Sequence, residues 1–322
     1  MAEFALNQFK DIRQPWDDLC QASLSRLLFS SPSWSEVWWR HFGKDSELYL
    51  GTVTEQSKII GIAPLRVKDG ILYFIGSDNV CDFLDFIIEP GKEDVFFHTL
   101  RQHLEQTNCK ILDLSPLLPD STAHRWLSAV IQAGNTGASC SENDVTVALD
   151  LPPDLPSYHS LLNSKQRHEI LRKERRLLEE GDISYEVKQE ASPEDIEIFL
   201  DFFRESREDK NRFLTAEMEQ FFRDIMESAT LDHTLRLGIL KLNQIDIAAT
   251  LCFDHRDEIY LYNSGYNPSY RSLSAGLLSK YYSVKDSIEN KKRKYDFLRG
   301  SESYKYHLGG SETQLFRCII NI

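Results

Sequence analysis

The chain has 322 residues, 41% hydrophobic and 27% charged, enough for two ordinary domains with real cores. Its formal charge of −13 excludes broad, non-specific binding to nucleic acid or anionic membrane. No run approaches the roughly 18 apolar residues of a membrane-spanning helix, and residues 1–7 lack the basic-then-apolar order of a secretory signal, so a cytoplasmic protein is expected.

In chain order, helical periodicity covers residues 16–29 and 33–42, with Ser33 as the expected N-cap and Glu36 completing a capping box. Strand patterns at 48–53 and 59–66, parted by the polar residues 55–58, predict a hairpin. Residues 71–75 read as a third strand and 83–88 as a fourth. A helix at 94–106, a buried strand at 110–114, a helix at 123–132 and a strand at 145–149 complete this half. Trp38, Trp39, Asp78, Asp82 and Asp85 are its candidates for lining a ligand cleft. Leu151-Pro152-Pro153-Asp154-Leu155-Pro156-Ser157 then reads as an extended connector, since closely spaced prolines disfavour helix and sheet alike. It divides the chain into expected domains 1–151 and 152–322.

The second half opens with a long basic helix at 158–180, stopped at Gly181. Lys165, Arg167, Arg172, Lys173, Arg175 and Arg176 on it are either a solvated face or an anion site for a nucleotide-linked sugar, an acidic glycan or tRNA. Helix starts follow at Ser192-Pro193 and at Thr215. Strands at 235–242 and 245–253 join at Asn243-Gln244, and a strand at 259–262, a helix at 274–289 and strands at 295–298 and 315–320 end the chain. The expected fold class is α/β, a mixed sheet flanked by helices, with two halves of similar element order.

Chemistry-bearing residues concentrate between 259 and 310. The strand Ile259-Tyr260-Leu261-Tyr262 leads through Asn263-Ser264-Gly265-Tyr266 to Arg271-Ser272-Leu273-Ser274-Ala275-Gly276 and a helix. Small residues at a helix start let unpaired backbone amides approach a pyrophosphate, and Arg271 adds a cation. The alternative is an ordinary helix start capped by Ser272 or Ser274. After the next strand, Asp296, Arg299, Glu302, Tyr304 and Lys305 lie where ligand crevices form, at a strand's C-terminal end, or else make a surface ion-pair network. Six scattered cysteines with no Cys-x-x-Cys pair predict reduced thiols, and nine histidines without ligand spacing predict no metal.

These motifs resemble the GNAT acyltransferase superfamily. Its phosphate loop reads Arg/Gln-x-x-Gly-x-Gly/Ala, and Arg271, Ser274 and Gly276 fall on its key positions, with Ser274 where the family has Gly. Asp296-Phe297-Leu298 followed by Gly300-Ser301-Glu302-Ser303-Tyr304-Lys305 is similar to the two-lobed CelD/BioF2-like acetyltransferases and, more distantly, the FemAB aminoacyltransferases. Phe29-Ser30-Ser31-Pro32-Ser33-Trp34 and Gly76–Phe83 resemble that branch's first lobe.

The resemblance implies two tandem GNAT-like lobes with the active site in the second. It implies acetyl-CoA or another acyl-CoA as co-substrate, no metal, and direct acyl transfer to an amine or hydroxyl. Polysaccharide biosynthesis is the implied setting, with an amino sugar or an envelope or exopolysaccharide precursor as acceptor. It assigns catalysis to Asp296, Glu302 and Lys305. Cofactor binding falls to Tyr262, Asn263, Arg271, Ser272, Ser274, Ala275 and Gly276, and substrate contacts to Tyr266, Arg299 and Tyr304. A monomer or weak dimer is expected. Two alternatives stay open: tRNA-dependent aminoacyl transfer, and a non-catalytic ligand-binding protein on the same fold.

Overall fold

A computed structural model describes residues 2–23, 28–77, 79–134 and 137–322. The first half contains β1 (Ala2–Leu6), α1 (Phe9–Ala22), α2 (Pro32–Phe42), β2 (Glu47–Glu55), β3 (Lys58–Lys68), β4 (Ile71–Phe74), β5 (Ile87–Ile88), α3 (Glu93–Leu104), β6 (Ile111–Leu117), α4 (Thr122–Gln132) and β7 (Ala138–Asp150). The second contains α5 (Leu155–Leu161), α6 (Ser164–Leu178), β8 (Ile183–Lys188), α7 (Pro193–Ser206), α8 (Glu208–Phe213), α9 (Ala216–Leu231), β9 (Leu235–Leu242), β10 (Ile245–His255) and β11 (Glu258–Tyr266). A 3-10 turn (Pro268–Leu273) then leads to α10 (Ala275–Glu289), β12 (Lys294–Arg299), α11 (Ser303–His307) and β13 (Ser311–Asn321).

Two units emerge, residues 1–145 with 313–322, and residues 146–312. In the first, the strand order is β1-β2-β3-β4-β6 followed by β13. Neighbours are antiparallel except β4 and β6, which run parallel. In the second, β8-β9-β10-β11-β12 is followed by residues 146–150 of β7, again with one parallel pair, β11 and β12. The units thus share one strand plan, four antiparallel strands, a helix crossing to a parallel fifth, and an antiparallel sixth, as the two-lobed α/β expectation requires. Each unit takes its sixth strand from a segment adjoining the other half of the chain.

Alternation along β9, β10 and β11 buries Leu240, Ile247, Leu261 and their neighbours against Leu278, Tyr281 and Val284 of α10, the core of the second unit. In the first unit Trp16, Phe29, Phe74, Phe83, Phe86 and Phe96 are fully buried.

Several expectations shift locally. The helix expected at 16–29 runs from Phe9 to Ala22, and residues 24–27 lie outside the described residues. The N-cap of α2 is Ser31, which accepts from Trp34 N, because Pro32 occupies the first helical position. Ser33 and Glu36 instead accept from Arg13. The strand expected at 83–88 shrinks to Ile87–Ile88 because Asp85 turns inward. There it accepts from the amides of Phe86, Thr122 and Ala123, closing the start of α4, and burial pushes its carboxyl up to about 6. Asp78 lies outside the described residues.

The proline connector becomes helical from Leu155, with Asp154 capping Ser157 N and Pro156 in the first turn, where a proline loses no hydrogen bond. The basic helix is two helices, broken at Leu162 where Asn163 and Gln166 form a capping box for α6. Cys140 and Cys318 are joined as a disulfide, a correction to six free thiols. They are 178 residues apart in sequence, so their pairing has no sequence signature.

Candidate functional site

The bulge that opens the site falls in β11. Leu251 of β10 faces Asn263 while Cys252 faces Leu261, so Tyr262 is the extra residue. Parallel pairing with β12 covers only Glu258 to Tyr260 opposite Lys294 to Asp296, although both strands continue. The strands therefore part at the point where the chain leaves for α10. This is the crevice expected beyond the carboxyl ends of parallel strands. The Tyr262 ring packs on Phe222 and Phe253, so its side chain belongs to the core.

Beyond the parting strands lies a cavity of about 280 Å³ lined by Tyr266, Arg271, Ser274, Ala275, Gly276 and Tyr304, with Lys173, Leu277 and Lys280. Three cations and no carboxylate line it. Six of the residues expected at the site from sequence meet here. Ser274 is the N-cap of α10 and holds φ 62°, the left-handed region that glycine occupies freely. Its side chain makes no capping bond, so the position keeps the backbone of the glycine it replaces. The amides of Ala275 and Gly276 open α10 and find no acceptor among the described residues. A Cβ on Gly276 would meet the Tyr266 ring at 2.7 Å, so glycine lets Tyr266 lie over the helix start. Arg271 is exposed and forms no ion pair among the described residues; Ser272 is exposed in the same 3-10 turn.

Lys280 is a cavity-lining side chain absent from the residues expected at the site. One turn into α10, it is buried, with Nζ 2.6 Å from Gly276 O and 4.9 Å from the Tyr304 ring centroid. Burial, with a contribution from Lys210's charge, brings its ammonium down to about 7. Lys210 of α8 donates to Ser264 O at 2.5 Å and lies over the Phe203 ring, and burial lowers it to about 8. A lone lysine in an apolar helical pattern resembles any solvated helix residue, so no sequence signal marks either.

Asp296, Glu302 and Lys305 sit beside the cavity without lining it. Asp296 is fully buried and accepts from Leu298 N at 2.8 Å and Thr146 Oγ1 at 3.3 Å. Lys305 is also buried, and its Nζ donates to the carbonyls of Leu298 (2.8 Å), Arg299 (2.6 Å) and Gly300 (3.0 Å) and pairs with Glu302. Leu298 between them has φ 64°, a left-handed backbone rare for a bulky residue. Asp296 fastens its N–H and Lys305 its C=O. Glu302 is half-exposed, and Arg299 is partly buried on the clamped turn. From the basic helix only Lys173 reaches the cavity, while Lys165, Arg172, Arg175 and Arg176 are exposed.

Comparison with known proteins bears on this geometry. A family model described as "Acetyltransferase (GNAT) domain" matches residues 164–306. The fold is GNAT-like. FemX superposes with a TM-score of 0.69 at 12% identity, over 98% of this chain and 96% of that one. The C-terminal domain of a putative lysylphosphatidylglycerol synthetase from Agrobacterium fabrum gives 0.61 at 9% identity, over 97% and 92%. A conserved protein of unknown function from Bacteroides thetaiotaomicron gives 0.59 at 13% identity, over the whole of both chains. At such identities these likenesses establish the fold alone. No curated protein matches the sequence. No helix among the described residues is long and apolar enough to cross a membrane.

Proposed function

We propose that the second unit is an N-acyltransferase of the CelD/BioF2-like kind that takes its acyl group from acyl-CoA. The observation carrying this reading is the cavity at the start of α10. Two free helix amides, Arg271, Lys280 and Lys173 (itself paired with Glu169) converge there and no carboxylate lines the cavity, which suits a pyrophosphate. In the first unit the corresponding helix, α3, opens with Glu93 and Asp94, whereas α10 has no acidic residue in its first turn.

In this reading the parted strands beside Asn263 receive the arm of the donor, and Tyr266, Tyr304 and Arg299 face the acceptor. The acceptor amine attacks the thioester carbon directly, the C–S bond breaks, and the amine's proton must leave. That proton passes to solvent or to the acceptor's surroundings, while Lys280 stays with the pyrophosphate, whose charge favours its ammonium form. Asp296 and Lys305 position the Leu298–Gly300 backbone, and Glu302 completes that clamp. The acceptor is an amino sugar or a related polysaccharide precursor in the cytoplasm.

The test is thiol release from acetyl-CoA with a panel of amines that includes amino sugars. Turnover is expected, with kcat/KM at least about tenfold lower in Arg271→Glu, equivalent to about 1.4 kcal/mol. Strongly salt-dependent tRNA binding without any response to acyl-CoA would instead support aminoacyl transfer, which the exposed basic face of α6 favours. Ligand binding without turnover across the panel would leave a binding protein.

A further inference from the structure

We infer that His124, Cys140 and Cys318 form a binding site for a thiophilic d10 cation, with zinc(II) as the probe, whenever the two cysteines are reduced. One ring nitrogen of His124 and the two Sγ atoms all lie within 4.8 Å of one another. Zinc bonds of about 2.3 Å to sulfur and 2.0 Å to nitrogen separate tetrahedral ligands by roughly 3.5 Å, so small side-chain rotations close the site. All three residues belong to the first unit: α4 brings His124, β7 Cys140 and β13 Cys318.

The imidazole is already prepared. His124 Nδ1 lies 3.0 Å from Pro119 O, and a carbonyl can only accept, so Nδ1 carries the proton and Nε2 the lone pair. A histidine that donates its second ring N–H to a carbonyl is the usual supporting arrangement of a metal ligand. The Phe316 ring, stacked at 4.4 Å, holds the imidazole plane. Cys318 is fully buried, while His124 and Cys140 are partly buried and reach the surface, which gives an ion a path and leaves a fourth position for water.

The structure holds the two sulfurs as a disulfide. A dithiol or phosphine supplies two electrons, and with two protons the S–S bond becomes two thiols. Zinc then displaces both thiol protons as two S–Zn bonds and one N–Zn bond form. The remaining cysteines, Cys20, Cys81, Cys109 and Cys252, are buried thiols outside any disulfide and lie outside this cluster.

The full chain, reduced with a phosphine and desalted without air, would be titrated with zinc against a chromophoric chelator and, separately, with cobalt(II). One zinc per chain is expected, with thiolate-to-cobalt charge-transfer bands. The air-oxidised protein should bind none. Cys140→Ser with Cys318→Ser should abolish binding, and His124→Gln should weaken it more than about tenfold. His124 is only partly buried, so its variant tests the site even if the double serine variant fails to fold. Overturning results are no zinc in the reduced protein, cobalt bound without thiolate bands, or unchanged affinity in His124→Gln.

Discussion

Lys280 shows how burial makes chemistry out of an ordinary side chain. Its folded pKa of about 7 lies below the 10.5 of a solvated lysine. The unfolded chain therefore binds more protons between those values, and stability rises with pH across that window. The cost of burying the charge is full below pH 7 and fades toward pH 10. Lys280→Met should raise Tm over wild type at pH 6 by more than at pH 10; an equal gain at both would contradict a depressed pKa. Ser274 carries a smaller strain. Its left-handed backbone without a capping bond predicts that Ser274→Gly is neutral or stabilises by up to about 1 kcal/mol, read by chemical denaturation. A loss above about 1 kcal/mol would mean that the hydroxyl has a structural role. The family resemblance, with the strand–loop–helix order, brought Arg271, Ser274 and Gly276 to one helix start. Lys280 was not legible in the sequence, because its environment is created by Tyr304 and the start of α10, which only the fold brings together.

At the scale of elements, the site depends on two backbone devices, the start of α10 and the turn after β12. Alanine is the better helix former by about 1 kcal/mol, yet a Cβ at position 276 would strike the Tyr266 ring at 2.7 Å. Gly276→Ala should therefore lower stability by about 1–3 kcal/mol, the range for overpacking, and weaken ligand binding; a stabilised variant would show that the ring moves freely. The clamp at Leu298 separates its two charged members. Lys305→Met leaves three carbonyls, one buried and two partly buried, without their donor and should cost about 3–5 kcal/mol in urea unfolding. Glu302→Gln removes a half-exposed ion pair and should cost less than about 1 kcal/mol. Comparable losses in the two variants would undo this division of labour.

Most helices and strands could be read from periodicity and caps, as at Ser192 and Thr215, whose side chains accept from Asp195 N and Met218 N. The misses have physical causes. β8 buries no residue fully and so shows weak alternation. α8 is only six residues long. The break before α6 is written in the capping box Asn163–Gln166, set within a run of helix-forming basic residues that masks it.

Across the whole molecule, two units with one strand plan differ in charge at the start of one corresponding helix. The helix that leads from the fourth strand of the shared plan to the fifth starts with Glu93 and Asp94 in one unit and with Ala275 and Gly276 in the other. A helix N-terminus attracts anions only where no carboxylate competes for its amides. A chain of net charge −13 thus keeps a cavity lined by three basic side chains and no carboxylate in the second unit. The repeated plan was legible only through family resemblance, because β-strand pairing fixes topology without demanding sequence identity. The exchange of sixth strands could not be read at all, since β7 and β13 are alternating segments that carry no mark of their partners.

The central claim, an acyl-CoA site at the start of α10, is tested most directly by thermal unfolding of the purified protein with and without acetyl-CoA, using desulfo-CoA as control. Ligand at about 100 times its Kd should add roughly 2.7 kcal/mol to the folded state, and Arg271→Glu should abolish the shift while melting cooperatively on its own. A cooperative melt unmoved by several acyl-CoAs, or an equal shift in Arg271→Glu, would contradict it.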